Sequence, residues 1–203
     1  MIMNLIFYGI TVVCAVLCAS LFEWTLHKFV MHKPVGRFRY PYEKHALTHH
    51  RIFKADASYH CVRDADKRTI RMAWWNGPVL IIILLLPTAL LCIPLGLWKV
   101  LLTFGIVSTL YFAAYEYTHW CMHLPDARRR FIERFGAFTF LNGHHLLHHQ
   151  YPNRNFNVVF PFADLLFGTL LRRAPKAFPQ PHGPTVPDVQ PLNARPAFAP
   201  LVR

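Results

Sequence analysis

Residues 73–98, AWWNGPVLIIILLLPTALLCIPLGLW, carry no charged side chain, and after the single Lys99 the stretch VLLTFGIVSTLYFAAY continues apolar to Tyr115. A helix needs roughly 20 apolar residues to cross the hydrocarbon of a bilayer. This run is about twice that length. Pro87, Pro94 and Gly96 loosen its middle, so it reads as a hairpin, one helix over about 73–91 and one over about 97–123. Residues 2–22, IMNLIFYGITVVCAVLCASLF, are likewise uncharged. Their long apolar run and the absence of a basic leader read as a retained anchor rather than a signal peptide. The expectation is an all-α integral membrane protein with about three transmembrane helices, one plus a hairpin.

The chain of 203 residues is long enough for one domain with a sizeable core. It is 54% hydrophobic and only 16% charged, yet holds 22 Lys+Arg against 10 Asp+Glu. Position explains that imbalance. Eleven basic residues lie between Lys28 and Arg71, ten lie after Leu124, and only Lys99 sits in the hairpin turn. By the positive-inside rule both basic segments face the cytoplasm, and three crossings give the parity this requires. Anionic headgroups account for the charge, and no nucleic-acid-binding fold is recognisable. Five cysteines, 14, 18, 61, 92 and 121, form no CxxC pair, and Cys14, Cys18 and Cys92 read as small packing residues. Residues 174–203 hold eight of the sixteen prolines and read as an extended tail behind a membrane domain at 1–173.

Twelve of the thirteen histidines fall in four groups at the cytoplasmic ends of these helices or in the cytoplasmic segments. They are His27 and His32; His45, His49 and His50, with His60 beyond; His119 and His123; and His144, His145, His148 and His149. A helical cytoplasmic cap carrying four histidine boxes follows. His119 and His123 are one helical turn apart, and His145, His148 and His149 share a face, so three imidazoles can aim at one point. His27 and His32, five apart, stand about 140° apart on an ideal helix. They share a face only if the helix loosens there, or else they serve two different ions. Ten or so imidazoles exceed what one four-coordinate zinc uses and suit two neighbouring ions. Imidazole alone does not choose among zinc, copper, iron and nickel. For the isolated His60 and His182, an ordinary hydrogen-bonded or surface role is the better reading. Glu23 and Glu116 are costly in apolar helices and need partners. The second ring nitrogen of a ligating histidine is the natural one, with direct ligation as the alternative.

These boxes, His27-x4-His32, His45-x3-His49-His50, His119-x3-His123 and His145-x2-His148-His149, resemble the fatty acid hydroxylase / sterol desaturase superfamily of membrane di-metal oxygenases. The likeness covers about residues 20–172 and includes Phe156, Asp164, Phe167, Gly168 and Thr169 after the last box. His144 matches the family's extra histidine before that box and is a further candidate ligand. The second box departs from tightly spaced members, having three residues rather than two between His45 and His49, which rotates His45 on its helix. The resemblance implies two Fe ions, with Zn a substitute in structures, and O2 as co-substrate. It implies hydroxylation of an aliphatic C–H bond of a membrane lipid, or desaturation on the same scaffold. It also implies a separate electron donor, a ferredoxin or cytochrome with its reductase, since the chain has no cofactor-binding motif of its own. The basic cytoplasmic face, with Arg128, Arg129 and Arg130, is a docking site for that donor or for headgroups. Tyr111, Tyr115, Tyr117, Trp24 and Trp120 line a substrate path or form an interfacial aromatic belt. A histidine-rich metal transporter is the non-enzymatic alternative, and it would place its ligands near the midplane. Compactness and 15 Arg to 7 Lys lean towards a bacterial inner membrane, with the endoplasmic reticulum as the eukaryotic counterpart.

Overall fold

The structure, a computed structural model, describes residues 2–125 and 131–173. Arg128, Arg129 and Arg130 and the proline-rich tail from Ala174 onward lie outside the described residues. The described residues contain helices, turns and one isolated bridge between Val35 and Phe38, and no strand. In chain order the α-helices are α1 (Ile2–Leu26), α2 (Tyr40–Lys44), α3 (His50–Ile52), α4 (Asn76–Cys92), α5 (Trp98–His123), α6 (Gly136–Gln150) and α7 (Phe162–Leu166).

Two stretches, Leu5–Met31 and Trp98–His123, are long and apolar enough to cross a membrane, whereas Asn76–Cys92 is apolar but only 17 residues long. Two of the three expected spans thus meet the criterion outright. The third stands at its lower bound. α5 packs against both α1 and α4. Leu5, Ile10, Ile82, Leu90, Leu102 and Leu110 on these helices are each more than half exposed, an apolar surface that suits lipid. Between α4 and α5 the chain turns at Gly96, whose φ of +66° favours glycine, and the Leu97 N–H reaches the Cys92 carbonyl at 2.9 Å. Pro87 does not loosen that turn but lies inside α4. Cys14 and Cys18 lie exposed on the outer face of α1 rather than packed, and Cys92 is buried as expected.

Beyond the helix ends, three small cores build the histidine-bearing layer. Phe53, Cys61, Ile70 and Leu124 pack beneath the end of α5, where the Cys61 N–H caps the His123 carbonyl at 2.7 Å. Tyr59, Tyr115, Met122, Phe138 and Val158 join α5 to α6. Trp24, Phe156 and Ala163 join α1 to α7, and the Trp24 indole N–H donates to Thr169 Oγ1 at 2.9 Å. Burial of these rings fixes the ends of the apolar helices against the loops that carry the remaining histidines.

Candidate metal centre

Two segments of the histidine layer are wound as π-helix, His27–Met31 and His45–His49. Their i→i+5 bonds close His32 N–H onto His27 C=O at 3.1 Å and His50 N–H onto His45 C=O. A π turn brings residues five apart over one another, where an α turn would splay them. This is the loosened helix that the His27–His32 spacing calls for. It also absorbs the extra residue of the second box, returning His45 to the side of His50.

The imidazoles gather into two clusters. In the first, ring nitrogens of His27, His32, His45, His50 and His148 all lie within 4.8 Å of one another; in the second, those of His49, His123, His145 and His149 do. His119 flanks the second cluster, its Nε2 3.2 Å from that of His49. The expectation that His145, His148 and His149 aim at one point is corrected. His145 and His149, one α turn apart, serve the second cluster, and His148 reaches the first. The second box divides likewise, His45 and His50 from His49. His144 joins neither cluster; its Nε2 lies 3.2 Å from Asp164 Oδ2.

The donor chemistry fits metal ions. Nδ1 of His27 meets the Phe156 carbonyl, that of His148 the Arg154 carbonyl at 2.7 Å, and those of His123 and His149 the Tyr59 and Phe53 carbonyls at 2.7 and 2.6 Å. His49 Nδ1 lies 3.3 Å from Thr69 O. A carbonyl accepts only, so these rings carry the proton on Nδ1 and present Nε2 as a lone pair. Those lone pairs face other Nε2 atoms: His27–His45 at 2.8 Å, His148 with both His32 and His50 at 3.1 Å, His145 with both His123 and His149 at 3.2 and 3.0 Å. One imidazole proton cannot serve two acceptors pointing from different directions, whereas a cation between the rings satisfies all of them. With metal–nitrogen bonds of about 2.05 Å, ligand nitrogens sit about 2.9 Å apart at a right angle and about 3.3 Å apart at a tetrahedral one. The contacts, between 2.8 and 3.2 Å, match the spacing of imidazoles that share an ion.

The partners expected for the two acids are also corrected. Glu23 does not pair with His27; it accepts from Tyr111 Oη at 2.7 Å, Asn157 Nδ2 at 3.1 Å and the Val158 N–H at 2.5 Å. Glu116 does not pair with His119 but accepts from the Met72 N–H at 3.4 Å and faces Arg71 Nε at 3.9 Å. Backbone carbonyls take the role assigned to carboxylates, one loop per cluster. The 154–156 segment serves His148 and His27, and the 53–69 segment serves His149, His123 and His49. Sequence reading missed them because every residue carries a carbonyl. Asp164 acts behind the first loop, accepting from the Phe156 and Asn157 N–H groups at 2.9 and 2.7 Å and from Thr169 Oγ1 at 2.6 Å. Burial alone would raise its carboxyl, but these bonds and His144 hold it below the usual range.

Burial, with neighbouring rings adding to it, drives His45, His49, His50, His145 and His149 well below the ordinary imidazole range. Burial likewise lowers His32 to about 4 and His148 to about 3. Neutral rings are the metal-binding form. Between pH 6.5 and about 4 the unfolded chain takes up protons that the folded chain refuses, so folding stability present above pH 6.5 is lost as pH falls. The metal-stripped protein should lose about 1.4 kcal/mol per fully buried ring for each pH unit below 6.5. Melting in detergent at pH 7, 6 and 5 measures this, and a flat profile would contradict the neutral-ring assignment.

An apolar cavity lined by residues of α1, α4 and α5 reaches His27 of the first cluster, with Met31 and Met72 also lining it and Tyr111 and Tyr115 along its wall. Tyr117 is 56% exposed, and Trp24 is buried against Phe156 and Phe167. The aromatics therefore split between cavity, core and surface. Comparison with curated proteins and with solved structures gives no significant match. The family model described as fatty acid hydroxylase matches residues 12–169, a span holding both π turns, both imidazole clusters and the Asp164 loop, so this histidine-rich membrane chain belongs to the fatty acid hydroxylase family.

Proposed function

We propose that the protein is a membrane-bound di-iron monooxygenase that hydroxylates an aliphatic C–H bond of a lipid, using O2 and electrons from a separate ferredoxin or cytochrome. The observation that carries this reading is an apolar cavity between α1, α4 and α5 that reaches His27 of the first of two neighbouring imidazole clusters. The first ion is held by His27, His32, His45, His50 and His148, and the second by His49, His123, His145 and His149, with His119 beside them. When bound, the iron pair supplies the oxidising power for O2 activation that no side chain has.

The chain's own residues do the rest. The cavity walls orient an apolar chain towards His27 and keep water from it. The carbonyls of 53–69 and 154–156 fix ring orientation and raise imidazole basicity. Glu23 and Tyr111 tie α1 and α5 to the loop at Asn157 and Val158, beside the cavity, and act as positioning residues. By the positive-inside rule the basic segments support a centre on the cytoplasmic face, of a bacterial inner membrane on this reading. A transporter is disfavoured because the clusters lie at the ends of α1 and α5, away from the middle of the spans.

The test is to load the purified protein with iron, supply reductant and O2, and seek hydroxylated lipid by mass spectrometry. A new double bond in place of a hydroxyl would assign desaturation. No oxidised product from any lipid extract would refute the oxygenase reading. Glu23→Gln should lower turnover roughly 10- to 100-fold with bound metal unchanged, because one of its bonds to the loop is lost while every imidazole remains. Metal analysis beside the rate measures both.

A further inference from the structure

Between Arg154 and Arg172 the chain reads NFNVVFPFADLLFGTLL, with Asp164 its one charged residue. Asp164 is buried inside the loop, whereas Phe160, Leu165, Leu166 and Phe167 are exposed, Leu165 by 64%. Arg154, Arg172 and Arg173 at the two ends are exposed as well.

Hydrogen bonds and ring contacts fix how deep this apolar surface lies beside α1. The Lys28 ammonium stands over the Trp24 ring, 4.3 Å from its centroid, a pairing suited to the headgroup level. Phe167 packs on the same indole at 4.3 Å. Ser20 is four residues nearer the middle of the span Leu5–Met31, about 6 Å at 1.5 Å per residue. There its hydroxyl donates to the Phe160 carbonyl at 2.7 Å and accepts from the Ala163 N–H at 3.3 Å. Asn157 Nδ2 donates to the Ser20 carbonyl at 2.8 Å. Irregular backbone at that depth is tolerated only where the protein itself meets its polar groups. Asp164, Glu23 and Ser20 do so for the N–H groups of Asn157, Val158 and Ala163. Along the same span α1 presents its own exposed apolar side chains, Ile10 and Val13 among them.

We propose that residues 159–167 are a monotopic anchor, sunk into the leaflet on the histidine side of the membrane. Phe160, Leu165, Leu166 and Phe167 face acyl chains, and Arg154, Arg172 and Arg173 meet lipid phosphates at the ends of the segment. The same loop supplies the Arg154 and Phe156 carbonyls to His148 and His27, so the anchor sets the depth of the first cluster in the bilayer. This holds whether or not the chain oxidises lipid.

Spin labels test it on the full chain in vesicles of phosphatidylethanolamine and phosphatidylglycerol. Cys14→Ala and Cys18→Ala first remove the two exposed thiols. Single labels are then introduced through Leu165→Cys or Leu166→Cys, both at exposed positions where substitution leaves the core intact. Ile10→Cys gives the lipid standard, and Asp64→Cys, at a side chain 93% exposed, gives the water standard. O2 concentrates in hydrocarbon and a hydrated nickel chelate stays in water, so the ratio of their collision rates reads depth. At both loop sites that ratio should exceed the Asp64 value several-fold and approach the Ile10 value. A ratio equal to that of Asp64 at either site overturns the anchor. Exclusion of both reagents with spin–spin broadening also overturns it, and would make this face a contact between two copies of the chain.

Discussion

If the two clusters each hold an ion, replacing His148 by alanine is expected to weaken retention of the first cluster's ion, leaving four of its five imidazoles, and to lower turnover strongly. Its ring is the sole contribution of α6 to the first cluster, and it faces both His32 and His50 at 3.1 Å. No neighbouring donor in that cluster can fill the gap, because His27 and His45 already face each other and His144 is engaged with Asp164. The second cluster should keep its ion, since His145 and His149 still face each other within it at 3.0 Å. A paired centre reduced to one ion loses the two-metal chemistry outright. His145→Ala should give the mirror result, with the ion of the first cluster retained. Iron content by elemental analysis, read beside the rate, decides it. An ion lost to a chelator first from the second cluster in His148→Ala, and from the first in His145→Ala, would show that the division of the fourth box between clusters is wrong.

Asp164→Ala should be more damaging to folding than the loss of any single ligand. Removing its buried carboxylate strands the Phe156 and Asn157 N–H groups, the Thr169 hydroxyl and the His144 ring together. At about 1–3 kcal/mol for each buried donor left unpaired, the loss is on the order of 4 kcal/mol or more, a large part of the stability of a domain this size. The same loop offers the Phe156 and Arg154 carbonyls to His27 and His148, so the first cluster should weaken before the second. Asp164→Asn keeps shape and one carbonyl oxygen and should fall between wild type and alanine. The measurements are melting temperature in detergent and the iron retained after chelation. An alanine variant that melts with the wild type would show that the Asp164 carboxylate does not hold this loop.

Much of the architecture is legible in the chain because the membrane imposes coarse rules. An uncharged run longer than a bilayer is thick must either cross it or fold back. The predicted ranges 73–91 and 97–123 lie within a few residues of α4 and α5. The histidine boxes are equally visible, since so many imidazoles in four groups at helix ends have few other uses. Acid partners were harder to read. Glu23 and Glu116 stand at helical spacing from histidines, yet each is bonded to elements distant in sequence, Val158 and Asn157 for one and Met72 for the other. Spacing along a helix measures which side chains share a face. It carries nothing about which loop packs against that face.

By itself the sequence determined a helical membrane protein with its histidines gathered at one end, because hydropathy, charge placement and residue type act locally. The tertiary structure alone decided which histidine belongs to which cluster. That outcome depends on two stretches relaxing from α to π winding, and on carbonyls of distant loops turning each ring. The extra hydrogen-bond span of a π turn becomes favourable only when packing and the ring contacts reward it. No count of residues between histidines records that energy.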